Sequence, residues 1–229
     1  MSKVEPNRKI ILELLKNKAA LKQDIAEDTT VVFELLKKII DQELEALKGQ
    51  VKDARVRLFS KEIGAFEKHL YVGSDVLIFH QHNNVFRLPD DNPLWGTSYF
   101  KEDESRGYFG ILYIYNFLAQ SLIQNRLYDQ GYLIGRIFFN KDRHFMVEGK
   151  GQLGTMFRDV ENSVLDENAI KLIVQLSCVF AIDFELLIPP FEMISTLTVE
   201  ESKIISNNLQ MQTGKRLGFK MQSDENEIM

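Results

Sequence analysis

Three of the four histidines, His69, His80 and His82, lie close together in the sequence. Two of them, His80 and His82, could bind a metal ion together with the nearby carboxylate of Glu67. His80 and His82 are two residues apart in an alternating stretch, so on a β-strand their imidazoles project from the same face. Glu67 lies opposite His80 if the two neighbouring segments form a hairpin. Two imidazoles and a carboxylate are ligands that zinc, iron and manganese accept. These three residues are the candidate metal site, and a metal-dependent enzyme is one function that the sequence allows.

The proposed pairing depends on two chain reversals. Gly73-Ser74 and Asn83-Asn84 have the composition of two-residue hairpin loops, so residues 65–88 are predicted to form a three-stranded meander. The predicted core face carries Phe66, Leu70, Val72, Leu77, Phe79, Phe86 and Leu88. The opposite, polar face carries Glu67, His69, Tyr71, His80, His82 and Arg87. The alternative to a metal site is a solvent-facing strand surface in which His80 makes an ordinary hydrogen bond to Glu67.

A second group of candidate residues is basic and lies in a predicted hairpin around Asn140-Lys141-Asp142. Its members are Arg136, Lys141, Arg143, His144 and Lys150. Together with nearby aromatic residues they could bind a phosphate-bearing ligand or single-stranded nucleic acid. The alternative is a solvated hairpin, partly neutralised by Asp142 and Glu148. The net charge of −5 makes nucleic acid an improbable partner and favours that alternative.

Motifs for nucleophilic catalysis are missing from the sequence. It contains no Gly-x-Ser-x-Gly element, and the single cysteine, Cys178, lies in an apolar stretch where a buried thiol is expected. Carboxylates at Glu102, Asp103 and Glu104 are explained by the start of a helix, where they complement the helix dipole. The chain is therefore interpreted as non-catalytic, with no cofactor expected unless the histidine face binds a divalent transition metal.

The composition is that of a globular protein of 229 residues, with 45% hydrophobic and 27% charged residues. One cysteine cannot form an internal disulfide. Residues 161–212 hold eight carboxylates against two lysines, so the acidity is concentrated there. The sequence starts without a signal-peptide pattern, and its longest apolar stretch, 108–123, is shorter than a membrane span requires. A cytoplasmic location without membrane association is expected.

The elements that must position these residues are predicted from periodicity. Residues 7–52 have apolar residues at three- and four-residue steps, which predicts amphipathic helices with a break at Asp28-Thr29-Thr30. The helical stripe must be covered either by the chain's own sheet or by a second copy. Tyr108–Arg126 is apolar on nearly every side, which predicts a buried helix. Asp166 is the predicted cap of a helix that continues to Ile182.

These elements predict an α+β fold in which an antiparallel sheet, built from a meander and a hairpin, is covered by helices. Three parts are expected: an N-terminal amphipathic helical segment (1–52), an α+β domain (53–222) and a disordered acidic tail (223–229). The predicted function is a dimeric binding or adaptor module that recognises a protein partner or a small ligand through its sheet face. The metal-dependent enzyme and the phosphate or nucleic-acid binder are the alternatives.

Overall fold

One long helix and a seven-stranded antiparallel sheet organise the chain. The structure, a computed structural model, describes residues 4–186, 188, 190–200 and 202. The strands are β1 (Leu58–Gly64), β2 (Glu67–Val72), β3 (Asp75–Gln81), β4 (Phe86–Arg87), β5 (Tyr108–Leu118), β6 (Tyr132–Asn140) and β7 (Phe145–Gly149). Their spatial order is β1-β2-β3-β5-β6-β7, and β4 pairs with the first residues of β5. The α+β prediction is confirmed.

The helices lie mainly on one side of this sheet. They are α1 (Val4–Leu14), α2 (Ala20–Lys48), α3 (Ser98–Glu102), α4 (Ala119–Ile123), α5 (Leu153–Met156), α6 (Glu167–Asp183) and α7 (Phe191–Ile194). A π-helical turn, Leu15–Ala19, joins α1 to α2, and short 3₁₀ turns span Pro93–Gly96 and Glu104–Gly107. No helix in the described part of the chain is long and apolar enough to span a bilayer. The predicted tail 223–229 lies outside the described residues.

The main core lies between the sheet and the pair α2 and α6. The apolar stripe of α2 is buried there, with Phe33 and Ile40 fully inaccessible to solvent. The sheet contributes Leu77, Phe79 and Ile114 to the same core. The predicted cap of α6 is confirmed, because the Asp166 carboxylate accepts a hydrogen bond of 2.7 Å from the backbone N–H of Ala169.

The predicted break at Asp28-Thr29-Thr30 does not occur, and α2 runs through these residues without interruption. The hydroxyls of Thr29 and Thr30 instead donate to the carbonyls of Ile25 and Ala26, one turn earlier. Threonine can bond back to the preceding turn of a helix, so its presence does not end one. The helix departs from regular geometry at the π turn, residues 15–19.

The predicted buried helix over Tyr108–Arg126 is wrong. Residues Tyr108–Leu118 form β5, the longest strand of the sheet, and only Ala119–Ile123 is helical. β5 is a central strand, and near its two ends both faces of the sheet are covered. It therefore has apolar residues on both faces and lacks the alternation of apolar and polar residues that identifies a strand. A continuous apolar stretch of this kind cannot be distinguished from a buried helix by periodicity.

The two predicted reversals have different outcomes. Gly73-Ser74 is the β2–β3 turn, with Val72 opposite Asp75 and Glu67 opposite His80, as predicted. Asn83-Asn84 is not a hairpin turn, because β5 takes the position beside β3. The backbone N–H of His82 therefore donates to Ile111 in β5, and Phe86 pairs with Phe109 instead of folding back on β3.

The hairpin of β6 and β7 is confirmed, although its loop is longer than predicted. Phe139 pairs with Phe145, so five residues, 140–144, connect the strands. The predicted core residues Ile137, Phe139, Phe145 and Val147 are buried. Leu133 and Ile134 exchange sides: Leu133 is 38% exposed and Ile134 1% exposed. A register irregularity opposite Ile114/Tyr115 shifts this end of β6 by one residue, and a one-residue shift moves a side chain to the other face.

Candidate functional site

The sheet surface opposite α2 and α6 is only partly covered. Side chains in its middle come from β2, β3, β5 and β6, and we refer to them as the open face: Glu67, His69, Ile78, His80, Tyr113, Tyr115 and Arg136. The strand register aligns them in rows, with His80 opposite Tyr113 and Tyr113 opposite Arg136. A second row places Ile78 opposite Tyr115.

Local structures close both ends of the open face. At one end α4 packs on the sheet, and Ala119 forms a small buried cluster with Tyr71 and Val76. At the other end, residues 88–107 fold over Phe109 and bury Phe100 in a second cluster. The open face is therefore a strip between two apolar supports, and its central side chains are half-buried.

Three aromatic residues in the middle of this strip, His80, Tyr113 and Tyr115, have polar atoms that bond to no other described residue. Tyr113 and Tyr115 lie side by side, with ring centroids 6.0 Å apart. Within the described chain, neither phenol hydroxyl forms a hydrogen bond, and neither does the His80 ring. Burial, and then the neighbouring Tyr113, raise the pKa of Tyr115, while nearby Arg136 acts in the opposite direction. Tyr115 is thus a neutral donor at physiological pH, able to bind a ligand acceptor.

His69 and Glu67 form a short polar contact at the β2 side of the strip. The His69 Nε2 and a Glu67 carboxylate oxygen are 2.5 Å apart, and His69 is 6% exposed. Its other ring nitrogen, Nδ1, has no hydrogen-bond partner among the described residues. Beside it, Tyr71 stacks on Phe59 at 4.2 Å, which fixes the position of this edge. The glutamate bonds to His69 and not to His80, the partner considered from the sequence.

The structure brings only part of the proposed metal set together. Glu67 and His80 are a cross-strand pair, as predicted. The His82 ring turns toward Phe86, at 4.8 Å, and its Nδ1 accepts a hydrogen bond from the backbone N–H of Asn84. In the described part of the chain, no three His, Cys, Asp or Glu side chains are placed to hold a metal ion.

The proposed basic residues are largely engaged with acidic partners. The Arg143 guanidinium bonds both carboxylate oxygens of Asp28 in α2, and Lys141 lies 2.6 Å from Asp103. Arg136 pairs with Glu148 across the hairpin. The Nδ1–H of His144 donates a hydrogen bond to the Val160 carbonyl, and the ring stacks on Tyr99 at 4.7 Å. Lys150 is exposed. Four of the five candidates thus support the fold locally, which leaves little free positive charge for a phosphate.

Cys178 is a buried structural residue. Burial raises the pKa of its thiol to about 12, with a smaller contribution from Glu43, so the thiolate is not populated at neutral pH. This geometry agrees with the inert thiol expected from the sequence.

An open cleft of about 660 Å³, which the sequence did not indicate, lies where the π turn meets the start of β5. Lys16 and Lys18 line one side, and Arg87, Glu104 and Tyr108 line the other. The Lys22 ammonium sits 6.0 Å from the Tyr108 ring. A π turn commonly marks a functional position in a helix.

Tyr113 and Tyr115 were also missed by sequence reasoning, because a helix was predicted there. The available signal was the alternation Tyr113-x-Tyr115-x-Phe117, which places three aromatic rings on one side of a strand. Comparisons of this chain with protein-family models, curated proteins and solved structures found no match.

Proposed function

We propose that this chain is a non-catalytic binding module whose open face recognises a segment of a protein partner. The observation that carries the proposal is the strip of half-buried aromatic side chains whose polar atoms have no partner among the described residues. Tyrosine combines a large apolar surface with a hydrogen-bonding tip, and it is enriched where proteins contact each other.

A protein segment is favoured over a small ligand by the shape of the site. Small molecules bind mainly in concave pockets, whereas the open face is a strip that runs across four strands. The two apolar supports, which lie at opposite ends of the strands, border this strip. Between them is a track that an extended or helical segment could occupy. Arg136 and Glu67 at its sides would then orient polar groups of the partner.

The experiment uses random linear peptides displayed on phage. They are selected on the wild-type protein and counter-selected on a Tyr115→Arg variant, which puts a charge in the strip. We expect enriched peptides whose affinity, measured by isothermal titration calorimetry, falls about tenfold or more in Tyr113→Ala and Tyr115→Ala. The matched control is Tyr128→Ala, since Tyr128 is a loop tyrosine that is 82% exposed.

Two outcomes contradict the proposal. One is that selection yields no peptide that survives the counter-selection. The other is that enriched peptides bind all three alanine variants with the wild-type affinity, which would place the binding surface elsewhere. Circular dichroism of each variant checks that the fold is retained.

We also propose that the module self-associates and acts in the cytoplasm. Self-association is supported by α1, where the apolar residues Ile10, Ile11, Leu14 and Leu15 are all exposed. The cytoplasmic location is supported by the single, buried, unpaired cysteine, which is typical of a reducing compartment.

A further inference from the structure

Two surfaces at opposite ends of the described chain carry opposite charge. Residues 7–22, here called the basic arm, contain Arg8, Lys9, Lys16, Lys18 and Lys22 against one carboxylate, Glu13. The described residues of 179–200, here called the acidic end, carry Asp183, Glu185, Glu192 and Glu200 and no basic residue.

Both surfaces are also apolar and uncovered. In the basic arm, Ile10, Ile11, Leu14 and Leu15 are each 52–56% exposed. In the acidic end, Ile182 is 58% exposed, Phe191 is 76% exposed and Val199 is 74% exposed. Monomeric proteins rarely expose apolar residues in such dense groups, so each surface has the properties of an interface.

Charged side chains of both surfaces form no ion pairs among the described residues. Arg8, Lys9, Lys16 and Lys18 form no ion pair with another described residue, and the same holds for the four carboxylates of the acidic end. Elsewhere in the described chain, by contrast, lysine and arginine are repeatedly paired, as in Lys141 with Asp103 and Lys171 with Glu43. The arm and the acidic end therefore carry complementary charges that are not paired with other residues in the described part of the chain.

The two surfaces begin at opposite ends of the sheet. The arm continues the axis of α2 past the first residue of β5, where Lys22 contacts Tyr108. The acidic end begins at the other end of the sheet, where Phe184 packs on Tyr132, and Tyr132 pairs with Asn116 near the end of β5. Tyr108 and Asn116 are eight positions apart, which corresponds to about 27 Å of extended strand. A second molecule in the opposite orientation would bring the two surfaces together.

We propose that the basic arm of one copy docks on the acidic end of a second copy, and that the exchange is reciprocal. This proposal rests on the self-association proposed above and names its interface, and it is independent of the open face. The stripe Ile10, Leu14 and Leu15 would cover the exposed apolar residues of the acidic end, while lysines flanking the stripe pair with Asp183 and Glu185. Opposite potentials on the two surfaces would fix the orientation of the pair.

Charge distinguishes this arrangement from its competitors. Direct pairing of two arms would bring two strongly basic helices together, and like charges in contact oppose association. A basic amphipathic helix is also suited to an anionic membrane surface. The acidic apolar surface on the same chain favours the second copy over the membrane, because it supplies both the negative charge and the apolar cover.

The test uses two charge-reversed variants of the full chain. The arm variant carries Lys16→Glu and Lys18→Glu, and the end variant carries Asp183→Lys and Glu185→Lys. We expect sedimentation velocity to show a wild-type dimer at micromolar concentration and a dissociation constant at least about tenfold weaker for each variant alone. An equimolar mixture of the two variants restores opposite charges at both interfaces, so we expect a dimer of wild-type mass.

Each other outcome overturns the proposal. A wild-type monomer at micromolar concentration that binds anionic phosphatidylserine vesicles assigns the arm to a membrane. An end variant that dimerises like wild type indicates arm-to-arm pairing, and a mixture that fails to dimerise removes the charge complementarity. Loss of this dimer leaves the peptide affinity of the open face unchanged, so a failure here is distinct from a failure of the proposed function.

Discussion

The two faces of the sheet use aromatic residues in different ways. On the face covered by α2 and α6, the large side chains are phenylalanines such as Phe79 and Phe139, which are 0% exposed and carry no polar atom. On the open face they are His80, Tyr113 and Tyr115, which are half-buried and whose polar atoms form no hydrogen bond in the described chain. The covered face can stabilise the fold through buried apolar area alone. The open face retains polar groups whose hydrogen-bond partners are solvent or a binding partner.

This difference implies that the two faces contribute unequally to stability. Residues of the covered face should be costly to truncate. Residues of the open face should be nearly neutral for folding and costly for binding. Substitutions on each face separate the two roles.

The largest effect is expected from Phe79→Ala. Phe79 in β3 is fully buried in the main core, and truncating such a phenylalanine costs about 3–5 kcal/mol through lost burial and the remaining cavity. Tyr115→Ala on the neighbouring strand should cost about 1 kcal/mol, since its side chain is only partly buried. Urea denaturation of both variants measures the two free energies of unfolding, and equal losses would remove the distinction between the faces.

The next effect tests how closely α2 approaches the sheet. A Cβ added to Gly110 in β5 would lie 2.1 Å from the Thr29 hydroxyl and 3.3 Å from the Phe139 ring. We therefore expect Gly110→Ala to cost about 1–3 kcal/mol in urea denaturation, because α2 must move away from β5. Gly64→Ala is the control, since nothing lies within 4 Å of its added Cβ. A Gly110→Ala variant as stable as this control would contradict the close packing.

The fold was predictable where local chemistry determines the backbone. Gly73 has a φ of 60°, a conformation that glycine adopts without strain, and it fixes the β2–β3 register correctly. The loop between β6 and β7 was predicted two residues too short. A shift of two residues leaves every side chain on its own face, so Ile137, Phe139, Phe145 and Val147 were correctly predicted as core residues, and only Leu133, beyond the β6 irregularity, was not.

The sequence was insufficient where long-range pairing competes with a local turn. Asn83-Asn84 has hairpin composition, yet β5 pairs with β3 because its longer apolar sequence offers more partners. Because of that same apolar sequence, β5 was predicted to be a helix. Tyr113 and Tyr115 were therefore not included in the predicted site. The histidine face was found from the sequence, but the rings that complete it were not.

A smaller effect concerns the ion pair at the edge of the covered face. Lys68 is 5% exposed and its ammonium lies 2.8 Å from Asp41, which also accepts a bond from Ser60. Burial raises the pKa of Asp41, but the bonds from Lys68 and Ser60 outweigh it and the pKa is lowered. Asp41→Ala leaves a buried ammonium unpaired and should cost about 1–2 kcal/mol at neutral pH.

The control for Asp41 is an aspartate whose basic partner is exposed to water, whereas Lys68 is buried. Asp53 pairs with Arg55, whose side chain is 90% exposed, so Asp53→Ala should give no measurable change in urea denaturation. If Asp41→Ala also leaves the free energy of unfolding unchanged, the Lys68 ammonium reaches solvent and the ion pair does not hold β2 to α2.

The smallest effect tests the support that closes one end of the open face. Asp103 accepts hydrogen bonds from Lys141 and Ser105, and the pKa of its carboxyl falls from 3.8 to about 2. Because the folded-state pKa is the lower one, this stabilisation is present above pH 4 and is lost as the pH falls toward 2. Asp103 is partly exposed, so solvent screening limits the effect to below about 1 kcal/mol.

Asp103→Asn and Lys141→Met should each reduce the stability lost between pH 4 and pH 2, measured by urea denaturation, and the double variant should lose no more than either. Fully additive losses would show that the two side chains act independently and that their contact does not hold residues 88–107 over the sheet.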